Sequence, residues 1–459
     1  MRPKNQNSPD QLLMLLRQHP GAKASQLAEW LQISQPTLSR LLGAAGDAVL
    51  PIGAGPRRRY FGQRLLRGLP GNFPLYAVNP EGQVSTQGTL NLTAPEGTVL
   101  DVAALGWPVE AEFAEGVWPG LPYVLQDMRP QGFLGRNFAR HWAPDLGVSP
   151  NPTEWHDDDV LHLLTQRGSD TTGNLILGDV ALQRWLQAKA EPLAIISEAQ
   201  TEQAYAQKAD QASALGAVGS SAAGEFPKFT ALRALAGSLT PHVIVKFSGA
   251  EASGAVQRWA DLLVCEHLAL QTLQTSLGVA SARSRLLSAG GRTLLEVERF
   301  DRHGDFGRSP LCSLETLDAA LLGKSSTDWG VLAELMRAQG WVSAETVKTI
   351  RLIWQFGQLI GNTDMHKGNL SFVPGHPMTV APVYDMLPML YAPLAGGEVP
   401  APRYQPALPP PQARDTWLQA CTAAQAFWQS ASTDARISPA FTQVLRANLI
   451  ELERVRGMA

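Results

Sequence analysis

A polar segment that follows a long apolar helix pattern restricts the fold of this chain more than any other feature. Asp364 comes after apolar residues at helical spacing over 347–360, and Asn369 lies five residues later. Residues 370–383 read as two short strands joined by a tight turn. Antiparallel pairing of these strands brings Asn369 beside Asp385, so that two oxygen ligands converge on one point. Such a pair suits magnesium, which favours carboxylate and carbonyl oxygens and takes few protein ligands.

The order and spacing of Asp364, Asn369 and Asp385 match the catalytic loop and metal site of protein kinases. There the first aspartate accepts the proton of the acceptor hydroxyl, and the other two residues hold magnesium. Lys367 in the same loop is a further candidate, for contact with the transferred phosphate. Each residue alone could be a turn former or a helix cap, but all three in this order favour a phosphotransfer site. The kinase-like triplet at 305–307 precedes this loop, the wrong order for a magnesium ligand, and is interpreted as a turn.

The nucleotide side of such a site is expected upstream. The small-residue segment 216–228 could bring backbone N–H groups close to phosphates, although such segments are also common as flexible linkers. Its candidate nucleotide-binding residues are Gly219, Ser220, Ser221, Gly224 and Lys228. The strand pattern 242–247 carries Lys246, and a later helix pattern carries Glu266. A strand lysine paired with a helix glutamate holds the α- and β-phosphates in kinases, so these residues predict ATP together with Mg²⁺.

The first 67 residues carry ten Lys/Arg against three Asp/Glu, although the whole chain has a net charge of −3. Such an asymmetry favours contact with a polyanion. Apolar spacing predicts three short helices and a hairpin, the layout of a winged helix-turn-helix, with the third helix in the major groove and the basic wing along the phosphates. The predicted DNA-contacting residues are Gln35, Thr37, Ser39, Arg40, Arg57, Arg58, Arg59 and Arg64. A three-helix packing unit without a DNA role is the alternative.

The three cysteines and the absence of long apolar stretches restrict where the protein works. Cys265, Cys312 and Cys421 are far apart and lack the spacing of a disulfide framework or a zinc site. The first residues are polar, and no later stretch approaches the length of a membrane span. These features predict a cytoplasmic protein without membrane association.

Taken together, these motifs resemble the HipA family of toxin-type serine/threonine kinases, and within it the single-chain YjjJ-like subgroup. The matching segments are 221–228, 245–247, 265–268, 298–302, 361–372 and 384–385. The resemblance implies a kinase-like fold and phosphorylation of a protein substrate, which in better-known members is an aminoacyl-tRNA synthetase. It also implies autophosphorylation of Ser221, or of Ser220, in the loop that wraps the nucleotide. One departure is Lys367, since the family more often has a lysine directly before the asparagine.

Better-known family members pair with a separate helix-turn-helix antitoxin, whereas the DNA-binding part is fused in this chain. Growth arrest by a toxin and self-regulation both stay open for that reason. Two other functions are also open: a transcription regulator on a kinase-like scaffold, and a helix-turn-helix fused to a small-molecule kinase. The oligomeric state, including a homodimer, is not determined by the sequence.

We therefore predict an α+β protein of four parts. A winged helix-turn-helix DNA-binding domain over 1–67 is followed by a β-rich middle region over 68–205. A bilobal, protein-kinase-like body then comprises an ATP-binding lobe over 206–300 and a helical catalytic lobe over 301–459. The predicted function is ATP- and magnesium-dependent phosphorylation of serine or threonine in a protein.

Overall fold

The computed structural model describes residues 8–216 and 226–459. Its N-terminal part contains three helices and a three-stranded sheet. These elements are α1 (Pro9–Gln18), β1 (Ala22–Lys23), α2 (Ala24–Trp30), α3 (Gln35–Ala45), β2 (Val49–Ile52) and β3 (Arg59–Gly62). β3 lies between β1 and β2 and pairs antiparallel with both. Ser34 caps α3 by accepting a hydrogen bond from the Thr37 backbone N–H, and Gln32 takes a left-handed φ of 52° in the preceding turn. The predicted helices and hairpin are therefore present.

The middle region begins as an antiparallel sheet and continues as helices. The five strands are β4 (Asn72–Val78), β5 (Val84–Leu92), β6 (Thr98–Val99), β7 (Val117–Trp118) and β8 (Leu175–Leu177), in the sheet order β7-β6-β5-β4-β8. The three helices are α4 (Gly132–Leu146), α5 (Asp157–Arg167) and α6 (Asp179–Ala190). These helices hold more residues than the five strands, so the prediction of a β-rich region is wrong for its second half. Buried Phe133, Ala139 and Ala143 anchor α4 despite its internal Pro144, because packing outweighs the low helix propensity of proline.

A four-stranded antiparallel sheet and two helices form the next part. They are α7 (Thr201–Gly216), β9 (Lys228–Leu232), β10 (His242–Phe247), α8 (Gly254–Leu277), β11 (Ser284–Ala289) and β12 (Arg292–Glu298), with the sheet order β11-β12-β10-β9. Side chains alternate along β10. Val243, Val245 and Phe247 pack with Tyr205 of α7, while Lys246 on the other face reaches Glu266 of α8. α7 spans the predicted domain boundary at residue 205.

The last part is mainly helical, as predicted. Its helices are α9 (Leu314–Leu317), which continues as a π-helical turn (Asp318–Leu322), α10 (Trp329–Ala338), α11 (Ala344–Leu359), α12 (Arg414–Thr433) and α13 (Pro439–Arg456). Its short strands are β13 (Arg302–His303), β14 (Gly307–Arg308), β15 (Cys312–Ser313), β16 (Ser371–Val373) and β17 (Thr379–Val380). None of the helices in residues 8–216 and 226–459 is long and apolar enough to cross a membrane.

Two details of this part agree with expectations from the sequence. The pairing of β16 with β17 is antiparallel, with Phe372 opposite Val380, and β16 also pairs with β15. Asp305 and Phe306 of the triplet lie in the turn between β13 and β14, Gly307 starts β14, and Phe306 packs edge-on against Trp185. The hairpin is therefore confirmed, and so is the interpretation of the triplet as a turn.

Candidate active site

Lys246 lies at the centre of a group of three charged residues, which we call the Lys246 cluster together with Glu266 and Asp385. Its Nζ donates to both carboxylate oxygens of Glu266, at 2.7 and 2.9 Å, and also to Oδ1 of Asp385. Lys246 and Glu266 are buried, whereas Asp385 is half-buried. The structure thus brings together two residues predicted on the nucleotide side and one predicted as a metal ligand.

The pKa values in the Lys246 cluster reflect a competition between burial and ion pairing. Burial lowers the pKa of Lys246, but Asp385 and Glu266 outweigh it and raise that pKa above its ordinary value. Burial raises the pKa of Asp385, but Lys246 and Lys228 together hold it below its usual range. Burial is the larger effect at Glu266, whose pKa is raised despite the adjacent Lys246. Asp385 is therefore an anion at neutral pH and can attract a cation.

Lys228 is the remaining predicted nucleotide-binding residue that the structure describes. It starts β9 and lies directly opposite Lys246 of β10 in the register of the sheet. Its charge lowers the pKa of both Glu266 and Asp385. Lys228 therefore belongs to the surroundings of the Lys246 cluster. The other four predicted residues of this segment, Gly219, Ser220, Ser221 and Gly224, lie outside the described residues.

The loop 361–369, called the Asp364 loop below, carries an exposed Asp364 between two amides. Asn369 is buried, and its Nδ2 donates to the backbone oxygen of Asp364 at 2.8 Å. Asn362 accepts from the backbone N–H of Asp364 at 3.0 Å, and its own Nδ2 donates to the backbone oxygen of Asp385 at 3.4 Å. The backbone of Asp364 is thus bonded on both sides, and Asn362 connects it to Asp385. Sequence reasoning gave Asn362 no role, although an amide inside such a loop was a usable signal.

Tyr384 is a second residue of the site that sequence reasoning missed. Its hydroxyl donates to the backbone oxygen of Gly368 at 2.7 Å and lies 2.7 Å from the hydroxyl of Ser371. Its ring stacks on Phe300 with centroids 5.6 Å apart. Asp385, the next residue, has a φ of 52°, in the left-handed region that few residues other than glycine adopt. Tyr384 therefore fixes the segment that carries Asp385 against the Asp364 loop.

Lys367 of the Asp364 loop has partners outside the Lys246 cluster. Its ammonium donates to the carboxylate of Asp318 and, at 2.7 Å, to the backbone oxygen of Lys324. The Asp318 carboxylate also accepts from the backbone N–H of Lys324 at 3.1 Å. The structure therefore places Lys367 in an ion pair with the π-helical turn. The predicted contact with a transferred phosphate stays a prediction.

The predicted DNA-contacting residues fall into two groups. Gln35, Ser39 and Arg40 of α3 are exposed, Thr37 is half-buried, and Arg57 and Arg58 are exposed between β2 and β3. By contrast, Arg59 and Arg64 are paired with acidic residues of the middle region. Arg59 Nε donates to Glu115 at 3.0 Å, and Arg64 forms two bonds of 2.7 Å with Asp158. The structure therefore leaves the first group exposed and gives the second group intramolecular partners.

Comparisons with known proteins agree on one family. Residues 69–186 match the family model described as the middle domain of YjjJ-like toxin, and residues 220–447 match the HipA-like C-terminal domain. The chain is 37% identical to Toxin YjjJ of Escherichia coli strain K12 over 436 residues, which are 95% of each chain. A solved structure of Shewanella oneidensis MR-1 HipA, in complex with HipB and its operator DNA, aligns with a TM-score of 0.51. That alignment covers 84% of this chain and 99% of the other at 15% identity, so it bears on the fold.

Proposed function

We propose that this chain, which belongs to the family of YjjJ-like toxins with a HipA-like C-terminal domain, is a kinase that phosphorylates serine or threonine hydroxyls of a protein. One observation carries the proposal: the buried ammonium of Lys246 contacts Glu266 and Asp385 at once. In protein kinases, a lysine–glutamate pair and a metal-binding aspartate must both be in place for transfer. The Lys246 cluster supports that assignment for these three residues.

The residues of the site fit a magnesium–nucleotide ligand. ATP, when bound with magnesium, supplies the phosphoryl group that is transferred. Asp385 offers an anionic carboxylate, and the amide oxygen of Asn369 remains for a metal because the nitrogen is bonded to Asp364. Both are the hard oxygen donors that magnesium favours. Lys246 and Lys228, on paired strands, supply the positive charge that polyphosphate requires.

Asp364 is the residue proposed to orient or deprotonate the acceptor hydroxyl. It is exposed, so an approaching side chain of a substrate protein can reach it. Asn362 and Asn369 bond its backbone N–H and C=O, which fixes the backbone of Asp364 relative to Asp385. Because phosphoryl transfer depends mostly on positioning and charge neutralisation, this fixed placement is the main contribution of the loop.

We also propose that residues 1–67 form a winged helix-turn-helix that binds duplex DNA. The antiparallel hairpin of β2 and β3 follows α3 directly, and exposed Arg57 and Arg58 lie at its tip. The exposed Gln35, Ser39 and Arg40 of α3 are polar or basic and suit a helix in the major groove. The Shewanella structure is a complex of HipA with a separate HipB and operator DNA. In this chain we assign the DNA-binding role to its own N-terminal part.

The kinase proposal is tested with purified full-length protein, radiolabelled ATP, magnesium and an extract of proteins from cells that lack this protein. Asp364→Asn and Asp385→Asn are expected to lower phosphate transfer by at least about 100-fold, and Asp364→Asn should keep a melting temperature close to that of the native chain, because its side chain is exposed. Asp305→Asn is the matched control, because this exposed aspartate belongs to the misleading triplet at 305–307. Undiminished transfer by the Asp364→Asn protein would contradict the proposal.

The same experiment separates the two alternatives. A transcription regulator on a kinase-like scaffold would transfer no phosphate to any acceptor, although residues 1–67 would still bind DNA. A small-molecule kinase would consume ATP in the presence of a metabolite extract but would label no protein. Labelled protein in the native reaction, lost in the Asp364→Asn reaction, favours the proposed protein kinase over both.

A further inference from the structure

A second cleft lies at the opposite end of the β9–β10 pair from the Lys246 cluster. Its volume is about 640 Å³, and its wall includes residues of α6, α7, β9 and β10 and the segment 299–308. On the two strands the cleft is lined by 230–232 and 242–243, whereas Lys228 and Lys246 pair at the other end. Neither of these lysines lines the cleft, so it is separate from the candidate active site.

Three arginines line the cleft, and two of them form ion pairs with carboxylates. Arg299 binds Asp301 through Nε and Nη2, at 3.1 and 3.0 Å. Arg302 binds Asp301 at 2.6 Å and Asp170 at 2.8 Å. Asp301 also accepts from the backbone N–H of Gly173 at 3.1 Å. This network joins the middle region to the segment that follows β12. Its two arginines are matched by its two aspartates.

Arg308 differs from the other two arginines. It is only 4% exposed, and within residues 8–216 and 226–459 it forms no ion pair. Its Nη2 donates to the backbone oxygen of Ser169 at 2.6 Å, whereas its Nη1 is buried without a hydrogen-bond partner. The three arginines share Asp170 and Asp301, which leaves one more positive charge than these two carboxylates balance. Because a buried charge is unfavourable without a partner, an anion at Arg308 would balance this excess.

The electrostatic surroundings of Arg308 agree with this. Burial and then the nearby charge of Arg302 lower its pKa to about 9, and Asp170 and Asp301 only partly offset them. The guanidinium is still charged at neutral pH. A bound phosphate or carboxylate would offset the repulsion from Arg302, since arginine forms strong charge-assisted hydrogen bonds with such groups.

The rest of the cleft suits a ligand with a flat apolar part. Trp185 and Phe306 meet edge to face with centroids 6.2 Å apart, and Leu193 and Ile196 add aliphatic surface. The guanidinium carbon of Arg308 lies 5.9 Å from the Trp185 ring. A volume of this size is in the range of sites for small molecules, about 300–1,000 Å³.

We propose that this cleft binds a small organic anion, a phosphate monoester or carboxylate with a planar apolar group, and that Arg308 pairs with the anionic group. The site is independent of the proposed kinase reaction, because it rests on the cleft and on the unpaired Arg308 alone.

The test uses 1-naphthyl phosphate as the probe and isothermal titration of the full-length chain in the presence of saturating ATP and magnesium. The native chain is expected to bind one probe molecule, and Arg308→Gln should weaken binding at least tenfold. Arg283→Gln is the matched control, because Arg283 is an exposed arginine directly before β11 that does not line the cleft. Ala188→Trp fills the cleft from α6 without changing any charge and should also abolish binding.

Two further ligands separate the contributions of the anionic group and of the aromatic ring to binding. Inorganic phosphate should bind more weakly than the probe but with the same dependence on Arg308, and 1-naphthol should not bind measurably. The proposal is overturned if the native chain does not bind the probe at millimolar concentration, or if ATP displaces it. It is equally overturned if Ala188→Trp binds the probe as tightly as the native chain, a result that decides the matter even where Arg308→Gln fails to fold.

Discussion

Lys367 of the Asp364 loop forms an ion pair with Asp318, whose carboxylate side chain is only 5% exposed. Asp318 starts the π-helical turn after α9, and α9 is in turn connected to the middle region. Asp127 accepts hydrogen bonds from the backbone N–H and hydroxyl of Ser313, at 2.6 and 2.7 Å, at the N-terminus of α9. Polar contacts at the two ends of this helical segment therefore connect it to the middle region and to the proposed catalytic loop.

This relationship predicts that Lys367 positions the loop. Asp318→Asn should lower the free energy of unfolding by about 3 kcal/mol, because it leaves the mostly buried ammonium without its counter-charge. Lys367→Met should raise the magnesium concentration needed for half-maximal transfer, since the loop that carries Asn369 loses its anchor. If both single variants and the double variant show the same magnesium requirement, the two residues act as a unit.

The opposite outcome would restore the role first expected for Lys367. If Lys367 contacts the transferred phosphate, its replacement should lower kcat, whereas Asp318→Asn should leave kcat unchanged. Steady-state kinetics at saturating magnesium for the three variants therefore distinguishes an anchoring lysine from one that contacts phosphate.

The Lys246 cluster predicts an unusual pH dependence of stability in one variant. Without the ammonium, burial is the largest effect on Glu266 and Asp385, and Lys228 opposes it only in part, so both pKa values should rise above those of the unfolded chain. A carboxyl with a raised pKa contributes stability that is present below the unfolded pKa and is lost as the pH rises through the folded value. Lys246→Met should thus become more stable relative to the native chain as the pH falls from about 8 to about 5.

Urea unfolding of both proteins across this range measures the effect. In the native chain the pKa of Asp385 is lowered, so its contribution is present at neutral pH and is lost only as acid protonates it below its usual range. Lys348→Met, which removes an exposed lysine from α11, is the control. Its free energy of unfolding should change with pH in parallel with that of the native chain. A parallel pH profile for Lys246→Met would contradict the assignment of the ion pair.

The residues of the proposed site that could be predicted from sequence are those encoded by local spacing. The helix pattern before Asp364, the hairpin of β16 and β17, and the strand pattern around Lys246 each depend on residues close in sequence, and their elements are present. The partners of Lys367 and Arg59 could not be predicted in this way. They lie 49 and 56 residues away in the chain, and no period or motif connects them.

The helices of the middle region show a different limit. α4 contains Pro144 and begins at Gly132, and both residue types disfavour a helix by intrinsic propensity. Tertiary burial of its apolar side chains outweighs that preference, which local reasoning cannot evaluate. The prediction of a β-rich region over 68–205 therefore describes mainly the part before α4.

Tyr384 predicts a milder defect than the charged residues. Tyr384→Phe keeps the stacking on Phe300 but removes the hydroxyl that binds Gly368. The loss of this bond should lower the free energy of unfolding by about 1 kcal/mol. It should also raise the magnesium requirement of phosphate transfer, because Asp385 is held less firmly against the Asp364 loop. Equal magnesium titrations for the variant and the native chain would show that the hydroxyl does not position Asp385.

The last prediction concerns DNA and the contact of Arg59 with Glu115. Both side chains are about one-third exposed, so a DNA phosphate can compete with Glu115 for the same guanidinium. Glu115→Gln removes the competing charge and should strengthen binding to duplex DNA about two- to fivefold, the equivalent of an exposed ion pair of up to about 1 kcal/mol. One additional phosphate contact should also make the log–log salt dependence of DNA binding steeper by about 0.9.

Glu112→Gln removes a nearby exposed charge and is the control for general electrostatics. An equal gain in both variants would mean that the acidic surface weakens DNA binding, and not the specific pairing of Glu115 with Arg59. If no variant binds DNA, the proposal that residues 1–67 bind DNA is wrong.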